Sequence, residues 1–554
     1  MQAEIRTAIT QALETLGIEP VDFVVEHPAD LRHGDYATNV ALVAAKQADQ
    51  HPRELAETIS ASLTDFETSV AGPGFINIHL ERNFFATAIT QIHEAGGQWG
   101  CSDAFTGKTV LIEYTSPNLF KPLHIGNLVG NIIGESLTRL FMCAGADVKR
   151  INFPSDIGLT VAKGVWGLQE TGGDPTNISA LGEAYRVGNE AYERGGDEAE
   201  AIRAVNKALY AGDDPELERL RETGLTTSRE RLRELCIMLG TQFDAEVPES
   251  EVGAPGQALV ESHVGTVFTE SDGAIVYPGE KVGLHTRVFL SSEHLPTYEA
   301  KDLGNFVRKQ ELFPDWSQSI IVTGNEQTEY FKVLYAAIRE LFPETNDKGL
   351  EHVPTGFLTL TTGKMSSRKG NVLTGESLLA EMEVAARERA AKSRTDDLEM
   401  LTTQVAVAAL KYQILKHSVG SNIVFDKERA LSFEGDSGPY LQYTNARINS
   451  VLEKAVDSGV TPDTSSPPSE PYTLEKLIYR YPEVLQEALA ERAPHKVVTF
   501  LTELAGEFNS FYGREQIADP ADEYAPYKAA VTAAVGQTLQ NGLWVLGIEA
   551  PERM

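Results

Sequence analysis

The chain has 554 residues, 42% hydrophobic and 23% charged, with 48 Lys+Arg against 80 Asp+Glu and a formal net charge of −32. This is a globular composition that excludes fibrous and disordered classes, long enough for roughly three or four domains, and no apolar run approaches the ~18–20 residues of a membrane span. So negative a field repels polyanions at long range, and a nucleic-acid partner would have to meet a local basic surface within a screening distance of roughly 8–10 Å.

The N-terminus, Met1-Gln-Ala-Glu-Ile-Arg, mixes acids and bases and lacks the apolar stretch of a signal peptide. Ile5, Ile9, Leu13 and Leu16 then share one helical face, and a turn-rich stretch from His33 to Asn39 precedes a second helical segment. Gly72-Pro-Gly74 introduces the alternating strand Phe75-Ile-Asn-Ile-His-Leu80, and residues 82–95 read as a connecting helix. Thr109-Val-Leu-Ile-Glu-Tyr114 is an apolar, β-rich run suited to a buried parallel strand, and Leu128, Ile132, Leu137 and Phe141 are spaced as a helix face. Strand, loop and helix in that order open a nucleotide-binding α/β fold. From about 165 to 255 the chain is charged and helical, as an insertion would be. Strand-like runs return at Gly273–Tyr277 and Gln318–Thr323, and from about 375 the pattern is almost wholly helical, broken by the Pro- and Ser-rich stretch Thr461–Pro471. Cys101, Cys143 and Cys236 are odd in number and lack a CxxC spacing; this predicts neither a disulfide framework nor a zinc knuckle, and a reducing, cytoplasmic setting.

The common phosphate signatures are absent. No GxGxxG follows a strand, and a P-loop reading of Gly363-Lys364 fails because Leu358 and Met365 stand where Gly and Ser/Thr are required. Two other segments carry chemistry. In Pro122-Leu-His124-Ile-Gly126-Asn127, glycine lets a flat base approach the backbone, while His124 and Asn127 can donate to phosphate oxygens at a helix N-terminus. Gly363-Lys364-Met365-Ser366-Ser367-Arg368-Lys369-Gly370-Asn371 gathers three cations and two hydroxyls, able to close on a triphosphate and stabilise departing pyrophosphate. Each alone fits a plain helix start or a solvated turn; together, in this order, they are specific.

The pair resembles the HIGH and KMSKS signatures of class I aminoacyl-tRNA synthetases, and the surroundings resemble the arginyl-tRNA synthetase family. Glu113-Tyr-Thr-Ser-Pro-Asn118 with Lys121 is similar to that family's segment before HIGH. Phe433–Tyr443 with Arg447, Ala493-Pro-His-Lys496, Phe508–Tyr512 and Ala550–Met554 are similar to its C-terminal domain. His33–Asn39 and Gly72–Asn77 are similar to its N-terminal module. The resemblance implies a multidomain α/β protein: an N-terminal α+β module contacting the tRNA D-loop (1–95), a Rossmann-like catalytic core (105–355) with a helical insertion (about 165–255), a KMSKS-loop and helical stem-contact region (356–430), and an all-helical anticodon-binding domain (431–554).

It also implies ligation of arginine to its tRNA, with ATP and its Mg²⁺ as cosubstrates, no zinc or other protein-bound metal, tRNA binding ahead of efficient activation, and a monomer without membrane attachment. His124, Asn127, Lys121, Lys364 and Lys369 would serve catalysis, and His124, Gly126, Asn127, Lys364, Met365 and Ser366 would hold ATP. Glu113, Tyr298 and Asp302 would hold the arginine guanidinium, and Asn118 and Gln327 its α-amino group. Phe75 and Asn77 would face a D-loop base; Tyr440, Tyr443, Tyr512 and Met554 would lie around the anticodon loop, where aromatic faces stack on splayed bases. A planar guanidinium with five donors independently calls for carboxylates, and Tyr298 and Asp302 share a face if helical. Three departures stand out: Asn127 for the second His of HIGH, Ser367 and Arg368 within the second signature, and Tyr330 where the family has His. Lys121 is similar to the lysine with which the family compensates a weakened second loop. A synthetase of another specificity, or a paralogue that binds RNA without charging it, are the alternatives.

Overall fold

The computed structural model describes residues 1–361, 374–390 and 397–554. The chain opens with α1 (Gln2–Thr15), β1 (Val25–Glu26), β2 (Tyr36–Thr38), α2 (Val40–Ala48), α3 (Pro52–Ser62), β3 (Glu67–Ala71), β4 (Phe75–His79) and α4 (Arg82–Ala95). The strands form an antiparallel sheet in the order β1-β2-β4-β3. Ile5, Ile9 and Leu13 of α1 are buried with Ile76 and Ile78 of β4, so the helical and alternating periodicities meet in one core.

Past α4 the chain continues with β5 (Thr109–Glu113), α5 (Ile125–Cys143) and β6 (Asp147–Asn152). Four helices follow, α6 (Leu159–Thr171), α7 (Ile178–Arg194), α8 (Gly196–Ala211) and α9 (Pro215–Met238), then β7 (Ala245–Glu246) and α10 (Glu249–Ser262). A small antiparallel sheet, β8 (Thr269–Ser271), β9 (Ala274–Tyr277) and β10 (Arg287–Leu290), leads to α11 (Tyr298–Leu312), β11 (Trp316–Gly324), α12 (Thr328–Leu341), β12 (Gly349–Thr355) and β13 (Leu358–Leu360). The central sheet is parallel, in the order β12-β11-β5-β6-β7. The charged stretch thus supplies helices and also β7, one of the two edge strands of the core sheet.

The remainder runs α13 (Gly375–Ala390), α14 (Leu398–Leu415), β14 (Ile423–Phe425), α15 (Lys427–Ala430), α16 (Gly438–Asp457), α17 (Thr473–Ile478), α18 (Tyr481–Ala490), α19 (Pro494–Arg514) and α20 (Ala525–Val545). β14 interrupts the helical pattern and pairs in parallel with β13. By packing, the described chain forms two compact units: residues 1–100, 447–484 and 503–541 make one, and 101–446, 485–502 and 542–554 the other.

One expectation is corrected. Cys101 and Cys143 form a disulfide, with Cα atoms 4.6 Å apart, and Cys236 is the free, buried cysteine. The two halves lie 42 residues apart in sequence, and the strand–helix unit between them folds back to bring them together, which cysteine spacing alone cannot reveal.

α5 is buried along nearly its whole length, and several of its inward polar groups are paired. Glu135 accepts from Tyr114 Oη at 2.7 Å and Arg139 Nε at 2.8 Å. Ser136 Oγ donates to Val545 O at 3.1 Å and Arg139 Nη1 to Trp544 O at 2.9 Å, so the last turn of α20 rests on this helix. Beside them Lys411 Nζ, buried, donates to Leu239 O at 2.7 Å and to Gly547 O.

Candidate active site

The turn leaving β5 is held in an unusual conformation. Thr115, Ser116 and Phe120 have φ of 73°, 38° and 65°, the left-handed region that costs a non-glycine residue on the order of 1–2 kcal/mol. Hydrogen bonds from the next helix and strand hold it there. Asn127 Nδ2 donates to Thr115 O at 2.7 Å, Asn131 Nδ2 to Thr115 Oγ1 at 3.0 Å, and Ser116 N to Asn152 Oδ1 at 3.2 Å. Asn127 therefore spends one amide hydrogen on the turn and keeps the other.

His124 is the N-cap of α5: its Nδ1 accepts from Gly126 N at 3.1 Å. With Nδ1 an acceptor, the ring proton sits on Nε2, which is left to donate. Burial and the neighbouring Lys121 hold the imidazole below its ordinary range, so it acts as a neutral donor. Lys121 is itself lowered by burial and by Lys163, and its ammonium stands 5.9 Å from the Tyr185 ring centroid. A Cβ at Gly126 would meet the His124 ring at 3.3 Å, so the glycine keeps the mouth of the site open.

These groups line a cavity of about 550 Å³ at the C-terminal ends of β5 and β11, where ligands bind in open α/β sheets. Lys121, His124, Gly126 and Asn127 form one wall, and Asn118 and Gln327 lie on it too. Phe357 and Thr359, which sequence reasoning missed, line it as well. Phe357 is exposed, and its place just ahead of the second signature is the one sequence cue to it. Lys364, Met365, Ser366 and Lys369 lie outside the described residues. The chain on either side of that segment is seated here. β13 contributes to the cavity wall, Thr374 bridges to His124, Gly375 N donates to Leu123 O at 2.8 Å, and Leu123 N donates to Glu376 Oε1 at 3.2 Å.

Glu113, Tyr298 and Asp302 do not line this cavity. Glu113 is buried at the end of β5, accepting from Asn305 Nδ2 and Lys309 Nζ at 2.9 Å each. Its charge is thereby balanced by α11. Tyr298 is 66% exposed, and Asp302, one turn along the same helix, is half-buried and accepts from Tyr330 Oη. Burial, with Glu113 and Glu249 adding to it, pushes the Asp302 carboxyl up to about 7, against the opposing pull of Tyr330 and Lys309. The position of α11 is fixed by α10: a Cβ at Gly304 would lie 2.1 Å from Val252 O, and one at Gly256 1.9 Å from Ala300 O, so the two helices cross in backbone contact.

Of the RNA-facing candidates, Phe75 is 38% exposed while Asn77, 7% exposed, is enclosed between Ala37 and Ser69 of the flanking strands. Tyr443 and Tyr512 are exposed, Tyr440 and Met554 half-exposed. The Arg447 guanidinium stands over the Tyr512 ring at 5.4 Å. Among the described residues no group of three or more His, Cys, Asp or Glu is disposed to hold a metal ion, and no helix is long and apolar enough to cross a membrane.

Comparison with known proteins gives a consistent answer. Residues 88–427 match the family described as tRNA synthetases class I (R), catalytic domain; 441–554 match the DALR anticodon binding domain; 3–80 match the arginyl tRNA synthetase N terminal domain. The arginine–tRNA ligase of Exiguobacterium sibiricum is 30% identical, the alignment covering 98% of this chain and 97% of that one. That of Borrelia hermsii is 28% identical over 98% and 96%. The solved Thermus thermophilus arginyl-tRNA synthetase superposes with a TM-score of 0.82 at 26% identity, with both chains fully covered. The chain belongs to the arginyl-tRNA synthetases of class I.

Proposed function

We propose that the chain activates L-arginine with ATP at the cavity beside α5 and passes it to the 3′ end of its tRNA. In the first step an α-carboxylate oxygen of arginine attacks the α-phosphorus in line; the bond to the bridging oxygen breaks and pyrophosphate leaves, giving arginyl-adenylate. In the second, a terminal ribose hydroxyl attacks the adenylate carbonyl and AMP leaves. No covalent enzyme intermediate forms. The chain positions the reactants and stabilises charge, which is where most of the acceleration of such transfers arises.

Neutral His124 donates Nε2–H to a phosphate oxygen, the N-terminal amides of α5 favour the same charge, and Lys121 supplies a cation. Asn127 offers its second amide hydrogen. Lys364 and Lys369 neutralise the departing pyrophosphate, with Met365 and Ser366 against the nucleotide. Mg²⁺ arrives with ATP and shields its oxygens. Gln327 and Asn118 take the α-amino group. Asp302 accepts the guanidinium, with Tyr298 beside it and Glu113 behind. Phe75 stacks on a D-loop base, Tyr440, Tyr443, Tyr512 and Met554 face the anticodon loop, and Asn77 supports the strand beneath Phe75. The protein works as a cytoplasmic monomer.

The observation that carries this reading is the convergence at one cavity of the helix-capping His124, Lys121 and the upstream flank of the 362–373 segment, with the downstream flank bonded to Leu123 and His124. Arginine-dependent ATP–pyrophosphate exchange, run with and without arginine tRNA, tests it. Exchange that appears only with tRNA is the expected result. Exchange driven by another amino acid, or tRNA binding without any exchange, would overturn it; light scattering at 60.5 kDa checks the monomer.

A further inference from the structure

Asp302 and Tyr330 meet across α11 and α12. Tyr330 Oη donates to Asp302 Oδ2, and among the described residues Asp302 Oδ1 makes no hydrogen bond. The tyrosine ring also meets a cation, the Arg287 guanidinium standing 5.1 Å from its centroid. Arg287 is in turn anchored by Glu299 Oε1 at 2.8 Å, so this internal guanidinium is engaged away from Asp302. Glu113, the neighbouring carboxylate, is already neutralised by Lys309. Asp302, by contrast, has only a neutral hydroxyl as its hydrogen-bond donor among the described residues, so its charge is left for a cationic partner.

We propose that Tyr330 is a positioning residue for arginine selection: its hydroxyl fixes the Asp302 carboxylate through Oδ2 and leaves Oδ1 presented to the substrate guanidinium. This rests on Asp302 being the guanidinium acceptor. The physical need is clear from the surroundings. Burial, Glu113 on β5 and Glu249 on α10 all favour a protonated Asp302; Tyr330 on α12 and Lys309 on α11 oppose them, the tyrosine most strongly. A protonated Asp302 would turn a donor toward a guanidinium, a group that carries only donors. Tyr330 stays protonated throughout, because burial and the adjoining Asp302 push its own ionisation far up. The hydroxyl therefore replaces the histidine of the family pattern with a donor that does not titrate in the working range.

The test measures arginine KM and kcat in tRNA charging from about pH 5.5 to 8.5, with calorimetric arginine binding alongside, for Tyr330→Phe, Tyr330→His and Asp302→Asn. Losing a hydrogen bond to a charged group is expected to raise the arginine KM of Tyr330→Phe about tenfold. Its kcat and ATP KM should stay within about twofold, and the pH below which KM worsens should move upward. Tyr330→His, which keeps a donor, should recover part of the loss, and melting curves confirm that both variants fold. An unchanged KM and pH profile in Tyr330→Phe would overturn the proposal while leaving Asp302 in place if Asp302→Asn raises KM. An unaltered arginine KM in Asp302→Asn would remove both.

Discussion

The crossing of α10 and α11 gives the sharpest quantitative test. Gly304→Ala places a methyl where the nearest atom, Val252 O, is 2.1 Å away. Restoring an ordinary contact of about 3.4 Å requires the helices to part by about 1.3 Å, because the obstacle is backbone and cannot rotate aside. Overpacking of this kind costs about 1–3 kcal/mol. Stretching the bonds from Asn305 and Lys309 to buried Glu113 adds about 1.5–3 kcal/mol. Alanine's better helix propensity returns about 1 kcal/mol. A net loss of about 3 kcal/mol lowers the melting temperature of a unit this large by about 4 °C. Asp302 rides on the displaced helix, and an ångström of misplacement can cost up to about a hundredfold, so arginine KM should rise at least about tenfold with ATP KM unchanged. Gly253→Ala is the matched control: its nearest neighbour is Pro296 Cγ at 3.9 Å, and it should be neutral or slightly stabilising. The reasoning fails if Gly304→Ala melts at or above the wild type with its arginine KM intact.

Two further outcomes are expected. Burial lowers the Lys411 ammonium to about 7, below its ordinary 10.5, so between those values the unfolded chain binds more protons and stability rises with pH, by about 1.4 kcal/mol per unit from this group. Denaturant melts at several pH values should show a shallower slope for Lys411→Met, and identical slopes would refute the assignment. The Cys101–Cys143 bond closes a 42-residue loop and should contribute about 2–4 kcal/mol. Unfolded but unreduced protein should take up one maleimide, at Cys236; three would show that the bond is absent.

The first signature could be read from sequence because its chemistry is local: a histidine before an apolar helix face is a capping pattern, and a five-residue apolar run is a parallel strand. What escaped was non-local. β6 and β12 carry Lys149, Arg150, Glu351 and His352, and they read as polar until Arg150 is seen folded against Glu135 on α5. β7 is two residues long and has no periodicity to detect. The second role of Asn127, tying down a strained Thr115, depends on backbone angles that no residue pattern announces. Tyr330 was visible as a departure, but its partner Asp302 lies 28 positions away on another helix.

The seat of the C-terminus on α5 has a consequence for synthesis. Ser136 and Arg139 lie early in the sequence, yet their partners, the carbonyls of Val545 and Trp544, come 409 and 405 positions later. Domains otherwise fold in the order they emerge from the ribosome. Here the signature helix completes these hydrogen bonds only after some four hundred further residues have been made, its sequence separations from their partners being 409 and 405. A chain ended ahead of Trp544 would therefore leave Ser136 and Arg139 on the signature helix without these partners, so a truncation far from the cavity in sequence would be felt at its wall.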